Sequence, residues 1–252
     1  MLGFAERGSG PPLVLLHAFP LDSTMWRAQV ERFSPRYRVI TPDVIGFGVS
    51  QPSRPWSMPE MGNELEALLD RLGISSCRLV GLSMGGYIGL PFTLNHPARV
   101  KCLVLAHTRA RSDLETERSG RTAMIEELER DGNGNLPGKM LPRLLGADAS
   151  TEVRDYVKTT ILGSSAEACI HAVTAMRDRV DQSANLAKVN CPTLVIAGSG
   201  DAILKVEDIQ KMAAAIPGAR CEVIPRTGHL SNLEAPQAFN DVLDRFLVSV
   251  EA

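Results

Sequence analysis

The tightest constraint on this chain is a rhythm: short, continuous apolar runs alternate with stretches whose apolar residues recur at helical spacing. Residues 13–17, 37–41, 77–82 and 100–106 are the first four such runs. Between them, residues 23–33 carry Met25, Trp26, Val30 and Phe33. Residues 58–72 place Met61, Leu65, Leu68, Leu69 and Leu72 on one helical stripe, and Gly73 ends it. Residues 84–96 read as a further helix. A strand that is apolar throughout must be covered on both faces, and strands joined through helices run parallel. The predicted fold class is therefore α/β, a mostly parallel twisted sheet with helices on both faces.

The rhythm stops near residue 109. From there to about 186 only helical or irregular segments are found, with Gly132, Gly134, Pro137, Pro142 and Gly146 among them. It resumes with a strand at 193–197, a helix at 206–216, a strand at 220–224 and a helix at 236–250. The expected organisation is a core of residues 1–108 and 187–252, interrupted by a mostly helical insertion at 109–186.

A chain of 252 residues can bury a core without disulfide or metal staples. A net charge of −2 and the lack of a Lys/Arg cluster argue against a nucleic-acid partner or an anionic membrane surface. The apolar run at 13–16 is too short to span a bilayer, and no signal-peptide pattern opens the chain. The five cysteines, Cys77, Cys102, Cys169, Cys191 and Cys221, are odd in number and have no metal-ligand spacing. They read as small core residues in a reducing, cytoplasmic setting.

Residues 81–86 are Gly81-Leu82-Ser83-Met84-Gly85-Gly86, set between a predicted strand and a predicted helix. The G-x-S-x-G pattern in that context is a nucleophile elbow. Its logic is steric. A serine on so sharp a turn takes strained backbone angles, and side chains two residues away on either side would collide. Glycines remove them, and the hydroxyl is lifted clear of the sheet. The competing reading is a serine capping a helix.

A serine nucleophile needs a base, and the chain has five histidines. His96 precedes Pro97 at a helix end, and His171 lies in the insertion. His17, His107 and His229 all follow strands, and in a parallel sheet such positions share one edge. His229 lies on a Gly-containing loop and is the favoured base. Asp201, directly after the strand at 193–197, is a candidate to orient it, with Asp208 and Asp113 as alternatives. The turn His17-Ala18-Phe19-Pro20 offers the Phe19 N–H, and the helix start offers the Met84 N–H, as a pair of oxyanion donors.

Four ordered motifs carry a resemblance. They are Leu16-His17-Ala18-Phe19-Pro20, residues 43–50 (DVIGFGVS), the Ser83 elbow, and residues 227–236 (TGHLSNLEAP). Together they resemble the α/β-hydrolase superfamily, in particular its esterase and enol-lactonase-like branch. The resemblance implies the chain order Ser83…Asp201…His229 for the triad, and so selects Asp201. It also implies that the insertion is a helical cap over the site. The chain departs from the family pattern at Ala18, where glycine is usual, so the loop must avoid angles only glycine takes easily. Pro91 interrupts the helix after the elbow, which predicts a kink or a local cost. Val49 replaces a frequent polar residue, and Ala202-Ile203-Leu204-Lys205 lacks a frequent proline. The usual first hairpin is shortened and its first strand is expected to be missing.

The leading functional reading is a serine hydrolase for a carboxylic ester, lactone or thioester, with no metal or organic cofactor. Alternatives are an acyltransferase, perhydrolase or C–C bond hydrolase with the same triad, or a non-catalytic small-ligand binder. The expected partner is a small-molecule substrate. Candidate pocket residues are His17, His107, Arg109, Trp56, Met58, Met124, Met140, Leu144, Met176 and Leu230.

Overall fold

The computed structural model describes residues 1–250. Seven strands form one sheet: β1 (Phe4–Arg7), β2 (Pro12–Leu16), β3 (Arg38–Pro42), β4 (Cys77–Leu82), β5 (Val100–Ala106), β6 (Thr193–Gly198) and β7 (Arg220–Ile224). Their order is β1-β3-β2-β4-β5-β6-β7, and every pairing is parallel except β1 with β3. β2 to β7 are the predicted runs, with ends displaced by no more than one residue. The chain leaves β2 toward one edge of the sheet and returns to β4 on its other side. At such a reversal the carboxyl ends of the strands open into a crevice.

The strand β1 has no counterpart in the predicted runs. Its sequence, Phe4-Ala5-Glu6-Arg7, is largely exposed and lacks an apolar run. It is held by antiparallel pairing from Phe4 opposite Pro42 to Arg7 opposite Val39. Among the described residues no strand precedes it.

Helices α1 (Arg27–Phe33), α2 (Met58–Arg71), α3 (Met84–Asn95), α8 (Val206–Ala214) and α10 (Pro236–Ser249) accompany the sheet. Helices α4 (Glu115–Asp131), α5 (Leu136–Leu144), α6 (Thr151–Gly163) and α7 (Ala166–Arg177) all fall between β5 and β6. A short helix α9 (Ser231–Glu234) follows β7. The start of α2 is sealed locally: Ser57 and Glu60 each accept the other's main-chain N–H, forming a capping box. Helix α3 runs unbroken through Pro91, although the Tyr87 carbonyl receives no N–H there.

The side chains of β2, β4, β5 and β6 are almost all removed from solvent, with Trp26, Phe33, Phe47, Phe92 and Phe239 among the largest fully buried groups. This is the environment that the continuous apolar runs require. Among the described residues no helix is long and apolar enough to cross a membrane.

Candidate active site

The turn between β4 and α3 is a single residue. Ser83 has φ 55° and ψ −110°, a region that L residues with side chains rarely occupy. The neighbours show why the sequence surrounds it with glycine. A Cβ on Gly81 would run into the Gly85 carbonyl, and one on Gly85 into the Leu16 carbonyl of the adjacent strand. The Ser83 hydroxyl makes no cap bond to α3. It lies 2.8 Å from His229 Nε2 instead.

His229 follows β7 on a loop whose main chain is fixed by its own N–H, which donates to the Leu144 carbonyl at 2.9 Å. Its Nδ1 is 2.8 Å from Asp201 Oδ2. Asp201 stands just beyond β6, with no exposed side-chain surface. Its other oxygen, Oδ1, accepts the N–H groups of Ile203 at 2.8 Å and Leu204 at 3.0 Å. Burial alone would raise this carboxyl. The charge and hydrogen bonds of His229 and His107 outweigh it and hold the group well below the usual carboxylate range. The structure thus brings Ser83, His229 and Asp201 into one hydrogen-bonded relay. Asp208 is exposed on α8. Asp113 is instead bound by Arg109 and Arg179, at 2.6 and 2.7 Å, and by Arg121.

Among the described residues, no acceptor meets the main-chain N–H of Phe19 or of Met84. The turn that carries Phe19 is held by Leu21 N–H donating to the Ala18 carbonyl at 2.9 Å. Ala18 does not take a positive φ, so the missing glycine costs the turn nothing in backbone strain.

A cavity of about 320 Å³ opens over Ser83 and His229. Of the candidate pocket residues, Arg109, Met124, Met140, Leu144 and Met176 line it, together with Phe19 from the proposed oxyanion turn. Five other candidates do not. His17 is fully buried: its Nε2 accepts the Val44 N–H at 2.9 Å and its Nδ1 lies 3.0 Å from the Ala18 carbonyl, so it braces two loops. His107 is also fully buried, below the cavity and against Asp201. Leu230 is packed into the core at the start of α9, and Trp56 is buried in the loop before α2. Met58 lines a separate cavity of about 170 Å³, which shares Tyr87 and Arg109 with the first.

Sequence reasoning missed Tyr87, Ile203, Thr116, Glu117, Arg121 and Arg143 as wall residues. Tyr87 had a readable signal, being one helical turn after Ser83. The charged residues had none, because exposed arginines on a helix are ordinary. Arg109 enters the cavity wall already engaged, with Asp113 and Glu117 each 2.6 Å away.

A sequence profile described as the alpha/beta hydrolase fold matches residues 11–236. The chain belongs to the α/β hydrolase fold family. A solved structure of a thermophilic esterase from Thermogutta terrifontis superposes with a TM-score of 0.96. It is 36% identical and covers 100% of this chain and 94% of its own. The 3-oxoadipate enol-lactonase 1 of Acinetobacter baylyi is 28% identical over 96% of this chain and 91% of its own length. A pimeloyl-[acyl-carrier protein] methyl ester esterase from Nitrosomonas europaea is 29% identical over 94% and 96%.

Proposed function

We propose that this chain is a carboxylic ester hydrolase that forms an acyl-enzyme on Ser83. The observation that carries the reading is the unbroken relay Ser83 Oγ–His229 Nε2–His229 Nδ1–Asp201 Oδ2, with both links at 2.8 Å. Ester- and lactone-cleaving relatives that align along nearly the whole chain support it.

In this reading Ser83 Oγ attacks the carbonyl carbon of an ester, lactone or thioester as His229 Nε2 takes its proton. Asp201 holds the imidazole in the tautomer that presents Nε2 as acceptor, and stabilises the imidazolium. The N–H groups of Phe19 and Met84 receive the developing oxyanion. His229 then returns the proton to the leaving oxygen or sulfur, and water repeats the sequence to release the acid. Helices α4 to α7 form a cap over the site, with residues 1–108 and 187–252 as the core; of that core, 251 and 252 lie outside the described residues. Cavity walls formed by Met124, Met140 and Met176 suit an apolar acyl or alcohol portion. Five thiols without a disulfide partner fit a cytoplasmic setting.

The test is a panel of p-nitrophenyl esters and lactones together with a serine-directed phosphonate. Wild type should turn over short esters and be labelled at Ser83. Ser83→Ala should fold, resist labelling and lose on the order of 10⁴–10⁶ in kcat. Asp201→Asn should lose less than Ser83→Ala. Labelling elsewhere, or a fully active Ser83→Ala, would sink the reading.

A further inference from the structure

Asp201 Oδ2 serves two imidazoles. His229 Nδ1 lies 2.8 Å from it and His107 Nδ1 lies 3.0 Å from it. The two rings meet edge to face, with centroids 5.5 Å apart. His107 Nε2 lies 2.6 Å from the Ser231 hydroxyl. Ser231 O–H donates to Nε2, which leaves the proton on Nδ1, aimed at the carboxylate. His107 is fully buried and has φ 47°, a conformation that a β-carbon makes unfavourable. Its own main chain extends the sheet by one bond, its N–H donating to the Ile196 carbonyl at 2.8 Å. The next residue, Thr108, donates its hydroxyl to the Ser83 carbonyl at 2.9 Å. One dipeptide at the end of β5 therefore grips both the strained serine and the triad carboxylate.

We infer that His107 is a positioning residue of the triad, a second neutral imidazole that shares the Asp201 oxygen used by His229 and fixes where that oxygen sits. The inference rests on the hydrolase reading above. It replaces the expectation that His107 lines the substrate cavity, because no part of the residue reaches that cavity.

Counting acceptor sites makes the case. A carboxylate has about four lone-pair positions. Two on Oδ1 are taken by the Ile203 and Leu204 N–H groups. The two on Oδ2 are taken by the two histidines. Removing His107 leaves Oδ2 with one partner and one free direction in which to swing. The charge that His107 now shares then falls on His229 alone.

The titratable groups facing His107 are Asp201, from the loop after β6, and His229, from the loop before α9. Ser231, on α9, adds only a hydroxyl. Burial depresses the basicity of His107 more than Asp201 restores it, so the ring stays neutral and Nε2 stays an acceptor. The same three groups have the residue types of a metal site. Both Nδ1 atoms meet the same Asp201 oxygen at N–H···O hydrogen-bond distance, so direct hydrogen bonds account for the contacts between them.

The experiment uses the full chain and the variants His107→Asn, His107→Leu and Ser231→Ala. Asn and Leu have nearly the same size. Only Asn offers an N–H close to the position of Nδ1, and Asn also accepts a positive φ more readily. The readouts are kcat and KM for p-nitrophenyl butyrate against pH, and downfield proton NMR of imidazole N–H groups. His107→Leu should lose about 10–100-fold in kcat with KM unchanged, the scale of a misplaced catalytic group. Its acid limb in kcat/KM should move to higher pH. His107→Asn should recover most of the rate. Ser231→Ala, which frees the tautomer without touching Asp201, should shift the acid limb in the same sense but less. If His107→Leu does not fold, Ser231→Ala and His107→Asn carry the test.

Wild type should show two downfield N–H signals and His107→Asn one. This readout needs no turnover, so an inactive wild type with two signals would sink the hydrolase reading while supporting the shared carboxylate. A single downfield signal in wild type would overturn the inference. So would a His107→Leu variant with wild-type kcat and acid limb, or a change confined to KM.

Discussion

Glu234 holds His229 from both sides without touching its side chain. Glu234 Oε1 accepts the N–H of Gly228 at 3.0 Å and of Leu230 at 3.3 Å, the residues immediately before and after the histidine. Its other oxygen accepts the Gly146 N–H at 2.8 Å, from the segment after α5. The His229 N–H donates to Leu144, two residues from Gly146. One carboxylate thus ties the loop that carries the base to the helical segment over the site. The space left is small: a Cβ on Gly228 would press into the Leu145–Gly146 main chain.

Replacing Glu234 by Ala strands three main-chain donors in a part-buried setting. Bonds to a charged acceptor contribute about 1.5–3 kcal/mol each, and solvent replaces some of that. Glu234→Ala should cost at least about 2 kcal/mol in urea unfolding. It should also lower kcat about 10-fold through movement of His229. Glu234→Gln keeps one acceptor oxygen and should lie between. A Glu234→Ala enzyme with unchanged kcat would show that the loop holds its shape without the carboxylate.

The glycines around the elbow differ sharply in what they tolerate. A Cβ at Gly85 collides with the Leu16 carbonyl, main chain against main chain, so neither side can yield cheaply. At Gly89, one turn further along α3, the nearest atom is Leu79 Cδ2 at 3.5 Å, an ordinary contact. Gly85→Ala should therefore fail to accumulate as folded protein, or lose more than about 3 kcal/mol. Gly89→Ala should be neutral or gain up to about 1 kcal/mol from helix propensity. Thermal melts of the two variants side by side check the contrast.

Much of this architecture is legible in the chain, for a definite reason. Buried parallel strands must be apolar throughout, so β2 to β6 announce themselves as runs. The elbow announces itself because only glycine fits beside a strained serine. What is not legible is orientation. Nothing in the residues around His17 and His107 says which way a ring at a strand end turns. Both turn inward, where His17 braces loops and His107 meets Asp201. The edge strand β1 is hidden because it is an exposed tetrapeptide with no apolar run; its main-chain pairing with β3, and the Arg38–Glu6 ion pair beside it, leave no pattern in the sequence. Arg121 of the cavity wall is hidden because its partner, Asp113, is chosen by how the chain folds back into α4.

Two aspartates weighed as triad members in the sequence give a clean comparison. Asp113 is buried among Arg109, Arg121 and Arg179; Arg121 and Arg179 outweigh its burial and hold its carboxyl below the usual range. Removing its charge leaves three guanidinium groups crowded around a neutral amide. Breaking such a buried cluster typically costs about 3–5 kcal/mol. Asp208 is exposed, and its change should fall within about 0.5 kcal/mol. Asp113→Asn should therefore unfold at clearly lower urea than Asp208→Asn, while both keep the Ser83 labelling reaction under native conditions.

Two of the three buried histidines, His17 and His107, set how stability depends on pH below neutrality. Burial depresses both His17 and His107, against the opposing pull of Asp43 and Asp201. Each accepts a hydrogen bond at Nε2, from the Val44 N–H and the Ser231 hydroxyl, and a proton there would face a donor. In the unfolded chain both titrate near their ordinary value of about 6.5. Below that pH the unfolded state takes up protons that the folded state refuses, so stability falls as pH falls. The slope approaches about 1.4 kcal/mol per pH unit for each histidine. The depressed carboxyls act in the same direction at lower pH. Asp201, Asp113 and Glu117, the last held down chiefly by Arg111, contribute stability above about pH 4 that is lost in more acidic solution. Urea midpoints should be nearly level from pH 8 to 7 and drop steadily from 6 to 5. His107→Asn should remove about half of that drop, because one of the two refusing sites is gone. A wild-type midpoint that stays level down to pH 5 would mean that the folded protein accepts both protons, and the neutral assignments for His17 and His107 would have to be abandoned.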